Sequence, residues 1–216
     1  SIYDQAREFG FGTKTGFDSS TEPVGIFREP SKWSLSSMHS IPIGYEISAT
    51  PLQIAMAYAS IANGGFLLKP YVVEKIEKHD DTIIKNQRNE KKRVLSQSNA
   101  KKLSLMLSHA VENGSGKLAT VDGWDVAGKT GTSKKLIDGQ YSEKEYISSF
   151  VGFFPLENPQ LLCLIILDSP DASRNLHWGS MSAAPVFKSV MDRVINIDRS
   201  ITISRSENQK VKNEPI

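Results

Sequence analysis

The stretch GWDVAGKTGT, Gly123 to Thr132, decides between two folds. Counted from Gly123 it satisfies G-x-x-x-x-G-K-[ST], the spacing of a loop whose backbone N–H groups cradle phosphates. Such a loop follows a buried strand and opens a helix at its lysine, so that the positive end of the helix faces the anion. Neither flank fits. The preceding GKLATVD is a poor buried strand, and GTSKKLIDGQ after Thr130 has two glycines and no helical stripe. Trp124-Asp125-Val126-Ala127 instead alternate apolar with polar or small residues, the period of a strand. Asp168, at the end of LLCLIILD, matches the strand-then-aspartate that holds magnesium in nucleotide enzymes, but any buried strand leaving a sheet can end in Asp. The stretch reads as β-structure, with a P-loop NTPase kept as a remote alternative.

Strand alternation then assigns faces. Lys129 and Gly131 share a face with Ala127, while Trp124, Val126 and Thr130 take the other, assigned to the core. The cleft side carries one ammonium beside a small residue and a residue with no side chain. That leaves the backbone edge open for an extended peptide, with the cation meeting a carboxylate. Thr132 points inward with Thr130, and its hydroxyl reaches the cleft only if the strand twists or bulges near its end. A second K-T-G, Lys14-Thr15-Gly16, sits in glycine-rich FGFGTKTGFD without apolar alternation and reads as an incidental turn.

Composition removes several classes. With 216 residues, 39% of them hydrophobic and 23% charged, the chain has material for a real core. Its net charge of +2 is too small, and its basic residues too interleaved with acidic ones, to argue for nucleic acid. One cysteine, Cys163 within LLCLIIL, rules out an internal disulfide framework and reads as a buried thiol. His39, His79, His109 and His177 show no ligand spacing, so neither a metal nor another cofactor is expected. No apolar run reaches the roughly 18–20 residues of a membrane span. The opening SIYDQAREFG is no signal peptide; it starts abruptly in a short helix, as part of a longer protein would.

Elsewhere, IGYEISATPLQIAMAYASIANGG carries a full set of helix signals. Thr50 is an N-cap, Pro51 fits the first helical position, Gln53 completes a capping box, and Asn63-Gly64-Gly65 ends the helix. Its small and apolar residues predict burial on most sides. PYVVEKIEKHDDTIIKNQRNEKKRVL reads as a short strand pair or exposed excursion. In QSNAKKLSLMLSHAVENG, Leu103, Met106, Leu107, Ala110 and Val111 predict one apolar helical stripe. WDVAGKTGT, YISSFVGFF and LLCLIIL are strands, the last covered on both faces. Asp138-Gly139 supplies turn residues between the first two, across a connection too long for a tight hairpin. A last helix runs from about Ala184 to Ile195, with Phe187, Val190, Met191 and Val194 on one side. The polar residues 198–216 are expected to be a disordered tail.

Four blocks in order, GYEISATPLQIAMAYASIANGG, VAGKTGTSKK, YISSFVGFFPLENPQL and AAPVFK, resemble the C-terminal half of the transpeptidase domain of class B penicillin-binding proteins. The septal, cell-division type is the nearer match and the elongation type second. The likeness runs from about Tyr3 to Ile195, makes residues 1–197 the expected domain part, and implies an incomplete α+β domain with a mainly antiparallel sheet covered by helices, as in serine β-lactamases. It implies a peptidoglycan D,D-transpeptidase that acts on stem peptides ending in D-Ala-D-Ala through a serine acyl-enzyme and is the target of β-lactams.

By that likeness Lys129 is catalytic and attracts the substrate carboxylate, Thr130, Gly131 and Thr132 bind substrate, and the Thr132 backbone N–H is an oxyanion donor. The family's S-x-x-K and S-x-N motifs precede the matched region. Ser98-Asn99-Ala100-Lys101 fits S-x-x-K by letters but reads as a helix start. Ser173-Arg174-Asn175 and Ser206-Glu207-Asn208 fit S-x-N by letters, in a loop and in the tail. The nucleophile is therefore expected to be absent, and the fragment inert without the missing N-terminal half. The likeness also implies an extracytoplasmic, membrane-anchored protein with division or glycosyltransferase partners. A non-catalytic peptidoglycan-binding scaffold of the same fold is the alternative.

Overall fold

The computed structural model describes residues 1–17, 20–79, 83–85 and 90–197. The expected tail, Ser206-Glu207-Asn208 included, lies outside them. The chain divides into two compact units, Ser1–Ala100 and Lys101–Ile216.

The first unit holds helices α1 (Ile2–Glu8), α2 (Ser37–Ser40) and α3 (Pro51–Ala62), and strands β1 (Phe66–Leu68), β2 (Lys75–Glu77), β3 (Ile83–Lys85) and β4 (Glu90–Arg93). The predicted capping box of α3 is present. Gln53 N–H donates to Thr50 Oγ1 at 3.1 Å, and Thr50 N–H donates to Gln53 Oε1 at 2.9 Å. Gln53 is 1% exposed, and its Nε2 also donates to the carbonyls of Thr13 and Val24. One side chain thus closes the helix and ties down a distant loop. After α3, Gly64 and Gly65 both have positive φ, as the Asn-Gly-Gly stop requires. β1 then pairs antiparallel with β4, and the Arg93 guanidinium lies 3.9 Å from the Phe66 ring centre. The polar excursion between them is the antiparallel pair β2–β3. Lys14-Thr15-Gly16 lies outside every strand, as expected, but in irregular chain rather than in a turn, where Thr15 and Gly16 donate to the Glu22 carboxylate.

Helix α4 (Gln97–Glu112) begins in the first unit and continues into the second. The predicted stripe is found in part, since Val111 is buried and Leu103, Leu107 and Ala110 are half-buried, but Met106 is exposed. Ala100, Ser104, Ser108 and Val111 are buried, whereas Leu105 and Met106 are 46% and 66% exposed. Small residues permit the close approach of neighbouring atoms here, and that outweighs the size of Met106 as an apolar group.

The second unit is built on one antiparallel sheet of order β5–β6–β7, comprising β5 (Ala127–Ile137), β6 (Gln140–Phe154) and β7 (Leu161–Asp168). Every strand pairing in both units is antiparallel, within an α+β fold. The first two strands run past their predicted ends and meet in a two-residue hairpin, not a long connection. Asp138 (φ 50°) and Gly139 (φ 81°) occupy the left-handed region that such a tight turn demands. Lys134, bonded to Glu143 at 2.7 Å, extends the ladder where apolar alternation has stopped.

Helix α5 (Ala183–Ile197) covers one face of the sheet. Phe187, Met191 and Ile195 join Phe150, Phe154, Trp124 and Val126 in the core, with Leu161, Cys163, Ile165 and Leu167 of β7 packed against it. The alternate residues of β7 are less covered than expected, Ile166 being 38% exposed. Two facing glycines make room for the central ring. A Cβ at Gly128 would lie 2.5 Å from Phe150 Cζ, and one at Gly152 would lie 2.8 Å from Phe150 Cε1 and 2.9 Å from Phe187 Cζ. The Phe150 and Phe187 rings accordingly pack close, tilted by 59° with centroids 4.8 Å apart.

Candidate functional site

Lys129 is the third residue of an 11-residue strand, and the chain continues as strand to Ile137. No helix begins at the lysine, which overturns the phosphate-loop alternative. Asp168 is engaged by Lys135, whose Nζ lies 2.7 Å from its carboxylate, rather than standing at a nucleotide site. Among the described residues, no cluster of His, Cys, Asp and Glu could hold a metal ion.

β5 is the outer strand of its sheet, so among the described residues one backbone edge is unpaired. The register sets Lys129 against Val151, Gly131 against Ser149 and Thr132 against Ser148. Lys129, Gly131 and Ala127 do share a face, but only part of that face is open. Ala127, Val151 and Phe153 are buried, while Lys129 is exposed and Gly131 half-buried. The Lys129 ammonium donates to the Thr130 carbonyl at 2.8 Å, along the strand itself. A Cβ at Gly131 would lie 2.4 Å from Ser149 Oγ, so a side chain there would force that hydroxyl to rotate away.

Thr130 and Thr132 occupy the opposite face, and each hydroxyl has a partner. Thr130 Oγ1 is 2.7 Å from Ser115 Oγ, and Thr132 Oγ1 accepts from Gly179 N–H at 3.0 Å. No bulge swings Thr132 across the strand; the irregularity in register comes later, between Lys134 and Leu136. The ammonium and the two hydroxyls therefore flank the open edge from its two faces. Residues two apart on a strand are roughly 6.5–7 Å apart, so both hydroxyls can serve one extended ligand.

The other serine candidates stand apart. Ser98 and Lys101 are exposed in the first turn of α4. Ser173 sits in a short turn capped by Asp171, to which its N–H and hydroxyl donate at 3.0 and 2.6 Å, and Asn175 adopts positive φ beyond it. Sequence reasoning passed over Ser115, Ser148, His177 and Gly179. Ser115 belongs to Asn113-Gly114-Ser115-Gly116, legible only as a helix stop, and the other three act across long separations. Cys163 is half-buried on β7, and burial raises its thiol above the ordinary range.

An α+β unit offering a cationic edge strand beside paired hydroxyls has a clear set of relatives. The family model described as the penicillin binding protein transpeptidase domain matches residues 1–192, and the chain belongs to that family. It is 33% identical to stage V sporulation protein D of Bacillus subtilis, over 88% of this chain and 29% of that protein. It is 34% identical to the probable peptidoglycan D,D-transpeptidase PenA of Neisseria flavescens, over 91% of this chain and 46% of that one. Among solved structures, penicillin binding protein 3 of Mycobacterium tuberculosis in complex with aztreonam superposes with a TM-score of 0.80 at 30% identity. That match covers 90% of this chain and 45% of that one. The chain thus spans less than half the length of these relatives.

Proposed function

We propose that the chain supplies the substrate-binding strand of a peptidoglycan D,D-transpeptidase of the septal, cell-division type. The exposed Lys129 on the open edge of β5, with the Thr130 and Thr132 hydroxyls on the adjoining face, carries the reading. A stem peptide ending in D-Ala-D-Ala lies extended along that edge. Its terminal carboxylate meets Lys129, Thr130 and Thr132 by charge-assisted hydrogen bonds. Gly131 keeps the strand surface low beneath it.

In the reaction, a serine oxygen attacks the penultimate carbonyl and its proton passes to a base. The Thr132 backbone N–H stabilises the oxyanion that forms. The carbon–nitrogen bond breaks, D-alanine departs with a proton, and an amine from a neighbouring strand attacks the ester and restores the serine. The nucleophile is none of Ser98, Ser173 or Ser206. β-Lactams occupy the same edge and leave the serine acylated. Because the substrate is cell-wall peptide, the domain works outside the cytoplasm. A membrane anchor and division or glycosyltransferase partners belong to the same proposal.

A labelled penicillin tests it. The intact protein acquires covalent label, Lys129→Ala slows labelling by about a hundredfold or more, and the chain on its own acquires none. Failure of the intact protein to label, with retained peptidoglycan binding, would replace the enzyme reading with the scaffold. Label on the isolated chain would overturn the exclusion of its serines.

A further inference from the structure

The segment between β7 and α5 meets the sheet at the middle of the substrate strand, and its attachment is specific. Both members of one cross-strand pair, Thr132 and Ser148, are bonded to it. Ser148, fully buried, donates its hydroxyl proton to the His177 carbonyl. Two residues on, Gly179 N–H donates to Thr132 Oγ1 at 3.0 Å. The His177 ring lies against Tyr146, centroids 4.7 Å apart, two residues before Ser148 on the same face of β6. The turn is closed behind these contacts, since the Trp178 carbonyl accepts from Met181 N–H and from both the N–H and the hydroxyl of Ser182.

Position 179 has no room for a side chain. A Cβ there would lie 2.4 Å from the Gly131 carbonyl oxygen and 2.5 Å from that of Ser149. Both are backbone atoms of the next cross-strand pair and cannot swing aside. The glycine is what lets the segment descend far enough for its N–H to reach Thr132.

A threonine hydroxyl has one proton and two acceptor sites. Resting on this reading of the carboxylate site, we propose that Gly179 is a positioning residue for it. Its N–H fills one acceptor site of Thr132 and holds the side chain in one rotamer. The hydroxyl proton is thereby directed outward, toward the substrate carboxylate. Without that N–H the hydroxyl turns to accept from other donors, and an anion finds no proton there. Ser148 supports the arrangement from the neighbouring strand by fixing the height of the segment.

The carboxylate gives a readout that loss of fold does not imitate. In the intact protein, acylation rates are measured for a penicillin and for its carboxyl methyl ester, and their ratio is the discrimination for charge. Thr132→Val lowers that ratio by on the order of tenfold, the loss of one hydrogen bond to a charged group, and Thr132→Ser restores it. Gly179→Ala lowers it by a similar factor but adds nothing in the Thr132→Val background. Should Gly179→Ala fail to fold, Ser148→Ala, which frees the segment without inserting atoms, lowers the ratio in its place. A Gly179→Ala or Ser148→Ala protein that slows acid and ester equally, with the Thr132→Val effect intact, would overturn the positioning role and leave the carboxylate reading standing. A wild-type protein acylated by neither compound would sink the reading itself.

Discussion

The two units are held together by different chemistry. In Ser1–Ala100, order comes from polar side chains that bond to backbone: Gln53 to Thr13 and Val24 and Arg93 to Gly64 across 29 to 40 residues, and Glu22 to Thr15 and Gly16 nearby. In Lys101–Ile216 it comes from an aromatic interior of Phe150, Phe154, Phe187 and Trp124 beneath a three-stranded sheet. In the first unit the buried Gln53 amide satisfies loop carbonyls, whereas in the second packed rings fill the space against the strands. The proposed substrate edge lies on the second kind of scaffold, which suits a task where misplacement by an ångström is costly.

The sharpest way to break this contrast is at the rings. Phe187→Ala costs about 3–5 kcal/mol, measured by urea unfolding of the intact protein. Its hydrogen exchange rises in β5–β7 and α5 before it rises in α3. Gln53→Ala comes next, at about 2 kcal/mol, from half of a capping box lost and two part-buried carbonyls left without this donor. Its enhanced exchange and proteolysis concentrate at α3 and residues 13–24. An even spread of either effect across both units would erase the distinction.

Smaller changes sharpen it. Gly139→Ala places a Cβ at φ 81° in open space, so only backbone strain is felt, about 1 kcal/mol. Last comes the exposed ion pair between Lys135 of β5 and Asp168 of β7. Hydrogen bonding from Lys135 lowers the Asp168 carboxyl below its ordinary 3.8, and the same bond raises Lys135 above 10.5. The pair's contribution is full above the ordinary carboxyl value and below the ordinary ammonium value. It fades as pH falls through the lowered Asp168 value, or rises through the raised Lys135 value. An NMR titration locates the Asp168 midpoint below 3.8, and Asp168→Asn returns Lys135 toward 10.5.

What could be read in the sequence was local. The Thr50-Pro51-Gln53 start and the Asn-Gly-Gly stop of α3 act within one turn, and the stripe of α5 is plain apolar periodicity. The alternation around Lys129 placed it correctly on an edge strand. α4 was legible only in part, because its buried face adds Ala100, Ser104 and Ser108, which carry little apolar signal, to the predicted Val111. The Asp138-Gly139 hairpin was hidden because the flanking strand ends, SKKLI and QYSEKE, are polar and held by Lys134–Glu143 and Lys135–Asp168 pairs that form only across strands. The bond between Gly179 and Thr132 spans 47 residues, and no local pattern announces it.

The glycine pair Gly128 and Gly152 has a consequence for how such a protein can change. One ring, Phe150, lies against the residue that immediately precedes Lys129 and also forms the hub of the interior. Drift in ligand preference and drift in thermal tolerance must therefore pass through the same few atoms. Variants that retune one without the other will be found at the perimeter of the strand, not beneath it.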